Sequence, residues 1–248
     1  MFRISVVLNC HKVWFFLLIW KKTDMKRAYL FDIDGTLLKV QRKVNRMLIQ
    51  RILKRFDVNH ISVEDLDFAG KTDRDIFSGL LDQPEDDLFH LVKQIYLQEL
   101  ERHLSAGDIH VFEGVHETLD YLQDNMAWTG LLTGNFARAA RIKLAAIGLH
   151  ERFRFGAYGD DHHDRNELPP TAFEELVKKS GKFFHPSDMV IIGDTPRDIE
   201  CARSFGSVSV AVTTGTYSRD ELSACNPDVV LSSLMEFPGW IENVLGKK

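Results

Sequence analysis

Residues 30–36 read Leu-Phe-Asp-Ile-Asp-Gly-Thr, and the two carboxylates in that stretch, Asp32 and Asp34, are the residues best placed to do chemistry. An apolar run, Ala28 to Phe31, delivers them, and Gly35 lets the backbone turn directly afterwards. Strand ends in open α/β sheets are where ligands bind. Two carboxylates spaced i, i+2 at such an end suit nucleophilic and acid/base roles at one reacting centre. At ~4 Å and an effective dielectric of about 20, two like charges repel by about 4 kcal/mol. A divalent cation is the simplest offset. The plain structural alternative is an acidic turn after an edge strand.

Two later segments carry related chemistry. Residues 131–135 read Leu-Leu-Thr-Gly-Asn, an apolar run ending in a hydroxyl and a glycine ahead of a helical pattern. Residues 189–198 read Met-Val-Ile-Ile-Gly-Asp-Thr-Pro-Arg-Asp, a second buried-looking strand that ends in an acidic loop opening a helix. On Asp32-Ile33-Asp34-Gly35-Thr36, Thr133-Gly134-Asn135 and Gly193-Asp194-Thr195 with Asp198, in that order, the chain resembles the haloacid dehalogenase superfamily. The resemblance runs from about Lys26 to the C-terminus. The helical residues between the first two motifs resemble the cap of the subgroup that includes phosphoglycolate phosphatases and β-phosphoglucomutases.

The resemblance implies a role for each motif residue. Asp32 would be the nucleophile that forms an aspartyl-phosphate, splitting one hard displacement into two. Asp34 would protonate the leaving oxygen and then take a proton from the attacking water. The dehalogenases that name the superfamily lack an acid at this position, so its presence favours phosphoryl transfer. Mg²⁺ is the implied cofactor, a cation that prefers oxygen ligands and keeps several waters. Asp32, the Asp34 backbone carbonyl and Asp194 match the ligand set. Asp198 would orient ligands from behind, although an acid in a first helical turn is also favoured by the helix dipole. Thr133 would donate its hydroxyl to the phosphoryl oxygens, and the Gly134 and Asn135 amides would form an anion site at a helix N-terminus. Thr133 as a plain N-cap is compatible with that.

The family also uses a Lys or Arg against the phosphoryl group, often in a Lys-Pro pair that this chain lacks. Residues 159–170 read Gly-Asp-Asp-His-His-Asp-Arg-Asn-Glu-Leu-Pro-Pro, and Arg165 matches the Arg-containing variant. Arg is always charged and can bind bidentately. Lys178 and Lys179 are the competitors, well inside the next helix. Asp160, Asp161, His162 and His163 read as a solvated polar loop, with a second metal site as the alternative. Phe68-Ala69-Gly70-Lys71-Thr72-Asp73 resembles the cap's substrate loop, with Gly70 suited to close backbone approach and Lys71 reaching an anionic substrate. An exposed Lys71 followed by an N-cap at Asp73 is the structural reading.

The elements that must position these residues follow from pattern. A parallel crossover needs a dozen or more residues, yet Asp34 and the next core strand, 128–133, lie nearly a hundred apart. Val44, Met47, Leu48, Ile52 and Phe56 recur at helical spacing, as do Ile76, Leu80 and Leu81, and then Leu88, Leu91, Val92, Ile95 and Leu100. Residues 39–110 are therefore expected to be an all-helical cap, and 25–38 with 111–248 the core. Strands and helices alternate from there on. That predicts an α/β, Rossmann-like parallel sheet with helices on both faces. Arg42, Lys43, Arg46, Arg51, Lys54 and Arg55 read as a solvated helix face, or as a weak funnel for phosphates.

Composition narrows the partners. With 248 residues, 44% of them hydrophobic, the chain can bury one substantial core plus a smaller module. A net charge of −5 and no basic tract interleaved with aromatics argue against nucleic acid. Cys10, Cys201 and Cys225 lack metal-ligand spacing and read as reduced thiols, with Cys201 in the core. The apolar stretch from Val13 to Trp20 is too short to span a bilayer and lacks a cleavage site. We expect Met25 to be the native start and residues 1–24 to be mis-assigned sequence. The alternatives are an extra element on the core or a weak interfacial anchor. The expectation is a cytoplasmic Mg²⁺-dependent phosphatase for a small phosphorylated metabolite, with no membrane partner. A sugar-phosphate mutase, a phosphonatase using Lys71 as a Schiff base, and a non-catalytic binder of a phosphorylated ligand or a protein are the competing readings.

Overall fold

The structure is a computed structural model that describes residues 27–58, 71–80, 86–162 and 164–245. The expectations for residues 1–24, Met25, Phe68 to Gly70, Leu81 and His163 lie outside the described residues.

β1 (Ala28–Phe31) is buried along its whole length. Alternate side chains of a strand point to opposite faces of its sheet. Here Tyr29 and Phe31 enter one apolar cluster while Ala28 and Leu30 enter another. A strand covered on both faces reads as a continuous apolar run. β2 (Leu38–Val40) pairs antiparallel with β3 (Ile109–Val111). Between them lie α1 (Arg42–Arg55), α2 (Asp73–Leu80) and α3 (Asp86–His103). The all-helical expectation for 39–110 is therefore corrected at its two ends, where the chain leaves and re-enters through a two-stranded ribbon. Strands of three residues are too short to show a period, so sequence does not reveal them.

α4 (Val115–Asp124) then leads to β4 (Trp128–Leu132), α5 (Ala137–Ala146) and β5 (Phe155–Ala157). α6 (Leu168–Ser180), β6 (Met189–Gly193), α7 (Pro196–Phe205) and β7 (Val208–Val212) follow. The chain closes with α8 (Arg219–Ala224), β8 (Val229–Leu231) and α9 (Phe237–Trp240). The main sheet is parallel, in the order β5-β4-β1-β6-β7-β8. β6 repeats the logic of β1: Val190 and Ile192 face the first cluster, Met189 and Ile191 the second. The fold is α/β and Rossmann-like.

The inserted helices share the first cluster. Val44, Leu48 and Ile52 of α1 and Val92 and Leu100 of α3 are buried in it. The basic residues of α1 are exposed, as the solvated-face reading expects, and Arg51 pairs with Glu99 at 2.8 Å. No helix among the described residues is long and apolar enough to cross a membrane.

Candidate active site

β1 is flanked by β4 on one side and β6 on the other. The chain switches sides there, and the carboxyl ends of the three strands open one crevice. Phe31 pairs with both Leu131 and Ile192, so Asp32 stands level with Leu132 and Gly193. Thr133 and Asp194 follow one residue beyond. The Asp32 N–H still donates to the Ile192 carbonyl at 2.9 Å, after which the chain turns, with Leu37 N–H donating to Ile33 O at 2.9 Å. Gly35 makes that turn at φ +96°, and a Cβ there would strike the Asp194 carboxylate. Glycine is thus required twice over at this position, by backbone angle and by space.

Asp32, Asp194 and Asp198 are buried, with one carboxylate oxygen of each within 4.8 Å of the others. Arg165 reaches into them. It donates to Asp32 Oδ1 at 2.9 Å and to Asp198 Oδ1 at 2.6 Å, and is itself only 6% exposed. Burial works against its charge, but Asp198 and Asp32 outweigh that and hold its pKa above the ordinary arginine value. Lys178 and Lys179 do not compete: Lys179 donates to the Arg154 carbonyl at 2.9 Å, and both lie in the last turn of α6. Asp198 also accepts from Thr195 N–H at 3.1 Å and Thr195 Oγ1 at 2.8 Å. It is therefore a capping residue of α7 as well as a partner of Arg165. Thr36 Oγ1 donates to Asp194 Oδ1 at 3.1 Å.

Three carboxylates against one guanidinium leave the cluster short of positive charge. Burial, and then repulsion from Asp32 and Asp198, push Asp194 up to about 8. Burial outweighs Arg165 at Asp32 and pushes it up to about 6. An all-oxygen, buried donor set with unbalanced negative charge suits a hard divalent cation. Cys201, the thiol nearest this cluster in sequence, is buried, pushed up to about 12 by burial, and donates to the Arg165 carbonyl, in keeping with a core role.

Asp34 belongs to a second network. Its Oδ2 accepts from Asn135 Nδ2 at 2.8 Å and from Lys143 Nζ at 2.6 Å. Lys143 also donates to Asn135 Oδ1 at 2.6 Å, and Asn135 Nδ2 reaches Thr133 Oγ1 at 3.2 Å. Sequence reasoning found Asp34, Thr133, Gly134 and Asn135 but missed Lys143. In Ala-Arg-Ala-Ala-Arg-Ile-Lys-Leu a lysine reads as solvent-facing. The available signal was its spacing: Lys143 shares a helix face with Ala139, Ala140 and Leu144, all buried.

The residues that lead into α2 contact the crevice beside Gly134. A Cβ at Gly134 would lie 2.6 Å from the Lys71 carbonyl and 2.8 Å from Thr72 Cα. Lys71 is thus placed at the rim by its backbone, with its side chain exposed. The expected N-cap at Asp73 is corrected. Thr72 Oγ1 accepts the Asp75 N–H at 3.1 Å, while the Asp73 carboxylate reaches across to accept Phe136 N–H at 2.8 Å. Threonine caps well from the residue before the first turn, which frees Asp73 for that longer reach. The Phe136 ring is surrounded by Phe77, Phe89 and Tyr96, and Lys93 Nζ lies 4.6 Å from its centroid. Lys93 also pairs with Asp160. Asp161 accepts Tyr158 N–H at 2.8 Å and His162 bonds Thr171 at 3.1 Å. Asp160, Asp161 and His162 are thus each paired, and the metal-type cluster found among the described residues is the one at Asp32.

An open parallel sheet with buried carboxylates, a guanidinium and a hydroxyl at its switch point defines an α/β protein built for anion chemistry. The chain belongs to the haloacid dehalogenase-like hydrolase family, which it matches over residues 29–212. It is 29% identical over 225 residues to an N-acetylmuramic acid 6-phosphate phosphatase of Pseudomonas putida, covering 88% of this chain and 97% of that one. It is 30% identical over 141 residues to a phosphoglycolate phosphatase of Synechococcus elongatus, covering 55% of this chain and 63% of that one. Among solved structures, CbbY from Rhodobacter sphaeroides in complex with phosphate superimposes with a TM-score of 0.70 at 18% identity, over 85% of this chain and 96% of that one. At that identity the likeness speaks for the fold.

Proposed function

We propose that this hydrolase removes phosphate from a small phosphorylated metabolite, using Asp32 as nucleophile and Mg²⁺ as cofactor. The observation that carries the reading is the buried Arg165 bridging Asp32 and Asp198 at the switch point. A guanidinium held against a carboxylate in a dry crevice is arranged to receive a dianionic phosphoryl group.

The chain's own residues supply each step. Arg165 occupies Oδ1 of Asp32, which leaves Oδ2 to attack phosphorus. Thr133 Oγ1 and the backbone amides at the start of α5 bind the non-bridging oxygens. The bond from phosphorus to the leaving oxygen breaks, and Asp34 gives that oxygen its proton. Water then attacks the aspartyl-phosphate, Asp34 takes a proton from it, and phosphate leaves as Asp32 is regenerated. Asp32, the Asp34 carbonyl and Asp194 would hold Mg²⁺, with Asp198 steadying the set; when bound, the ion balances the carboxylates and polarises a phosphoryl oxygen.

Both relatives named above are phosphatases of small phosphate monoesters by their names. Lys71, at the rim beside Gly134, is the residue we assign to an anionic group on the substrate, and helices α1 to α3 form the cap that shuts the crevice during the first step. Hydrolysis of an aryl phosphate with and without Mg²⁺, wild type beside Asp32→Asn, tests the reading. Metal-dependent turnover abolished in the variant supports it. Turnover that persists in the variant rejects Asp32 as nucleophile.

A further inference from the structure

Among the described residues two buried cations reach the carboxylates of this crevice, and they divide Asp32 and Asp34 between them. Arg165 bonds Asp32, while Lys143 bonds Asp34. Lys143 sits on the inward face of α5, and its side chain is only 6% exposed. An apolar residue would ordinarily occupy such a position, since burying an ammonium is unfavourable unless a partner repays it. The partners here are Asp34 Oδ2 and Asn135 Oδ1, both at 2.6 Å. Asn135 is oriented in turn, because its amide nitrogen bonds Asp34 Oδ2 and Thr133 Oγ1. Both donors converge on the same oxygen of Asp34. Among the described residues no hydrogen bond is made to its Oδ1.

We propose that Lys143 is a positioning residue for Asp34. Its ammonium and the Asn135 amide pin Oδ2, so that Oδ1 is the atom presented to the leaving-group oxygen in the first step and to water in the second. Asp34 lies in the turn, directly before Gly35, and its side chain is 39% exposed, so packing alone does not fix its direction. This rests on the phosphatase reading above and adds a residue which that reading does not need.

The test uses two substrates that differ in their need for a proton. A nitrophenyl phosphate expels a stabilised anion; a simple alkyl phosphate such as glycerol phosphate expels an alkoxide that needs one. Wild type, Lys143→Met, Lys143→Arg, Asp34→Asn and the double variant Lys143→Met/Asp34→Asn are compared in kcat/KM, which reports formation of the phosphoenzyme. Positioned proton transfer contributes about 10²–10⁴-fold. Lys143→Met is expected to lose about 100-fold on the alkyl ester and at least tenfold less on the aryl ester. On the aryl ester its kcat and KM should fall together, because water attack on the phosphoenzyme is slowed. Lys143→Arg restores part of the loss. The double variant should be no worse than Asp34→Asn on the alkyl ester, since the two residues act as a unit.

Equal losses on both esters, or losses that multiply in the double variant, overturn the proposal and make Lys143 a structural cation. If Lys143→Met fails to fold, Lys143→Arg carries the same comparison, with a loss confined to the alkyl ester expected. Wild-type turnover that survives Asp32→Asn rejects the phosphatase reading, and this proposal with it.

Discussion

Asp32 has a guanidinium on one oxygen and the carboxylates of Asp194 and Asp198 close by. Its replacement by Asn removes the attacking oxygen while keeping the shape, and kcat should fall on the order of 10³-fold or more. Arg165 makes a different prediction. Removing one partner of a buried ion pair leaves the others uncompensated, typically at about 3–5 kcal/mol. Arg165→Met should therefore lose activity, and the unfolding free energy from urea titration should fall by an amount of that order, with a lower midpoint. An unchanged midpoint would mean that the carboxylates find solvent instead. Asp73 is a third case. Burial pushes it up to about 6 from 3.8, against the pull of Lys143. The stability tied to its protonated form is complete below about 3.8 and is lost as pH rises through about 6. The rise corresponds to on the order of 3 kcal/mol at neutral pH. Asp73→Asn keeps an oxygen for the Phe136 N–H, so its Tm should exceed wild type at pH 7 and match it near pH 4. A Tm below wild type at pH 7 would contradict this.

At the scale of elements, the motif-bearing strands were legible and the contacts between distant elements were not. β1, β4 and β6 follow from apolar runs, and the loops after them announce themselves by glycine and acid. Gly35 could be read from sequence as a turn, but its second duty, making room for Asp194, arises from a residue 159 positions away and has no local signature. Lys143 was hidden for a similar reason: Arg141 beside it makes the helix look solvated, and only the position of its neighbours on the buried face shows otherwise. Asp73 looked like a cap because it opens a helix, while its partner Phe136 lies 63 residues on. Phe136 is the centre of the contact between inserted helices and core, ringed by Phe77, Phe89 and Tyr96. Truncating a buried Phe typically loses about 3–5 kcal/mol. Phe136→Ala should lose stability at the lower end of that range and speed amide exchange in α2 and α3 relative to the central strands. Uniform exchange throughout would mean that the insert does not depend on this ring.

For the molecule as a whole, the central feature is a sheet whose switch point is electrostatically unbalanced. Asp194 at about 8 and Asp32 at about 6 both lie above their ordinary value. With raised carboxylate pKa values the native state binds the extra protons, so stability without a divalent cation should fall as pH rises from about 4 through about 8. Mg²⁺ held by these carboxylates would favour the deprotonated forms and should reverse that slope. The expected result is a Tm gain on adding Mg²⁺ that is small at pH 5.5, large at pH 8.5, and strongly reduced in Asp194→Asn. An equal gain at both pH values would assign the effect to another site. The sequence motifs come together in one crevice because they sit where parallel strands must end. It could not supply the charge balance, which depends on burial and on three elements meeting.

The most direct test of the central claim is to trap the phosphoenzyme. Protein turning over an aryl phosphate with Mg²⁺ is quenched in acid and reduced with borohydride, which converts an acyl phosphate to the alcohol. Peptide mass spectrometry should find that reduction at Asp32 and at no other carboxylate, and only in samples that received both substrate and metal. Reduction at Asp34 or Asp194, or turnover with no trapped residue at all under conditions where water attack is slow, would contradict the account.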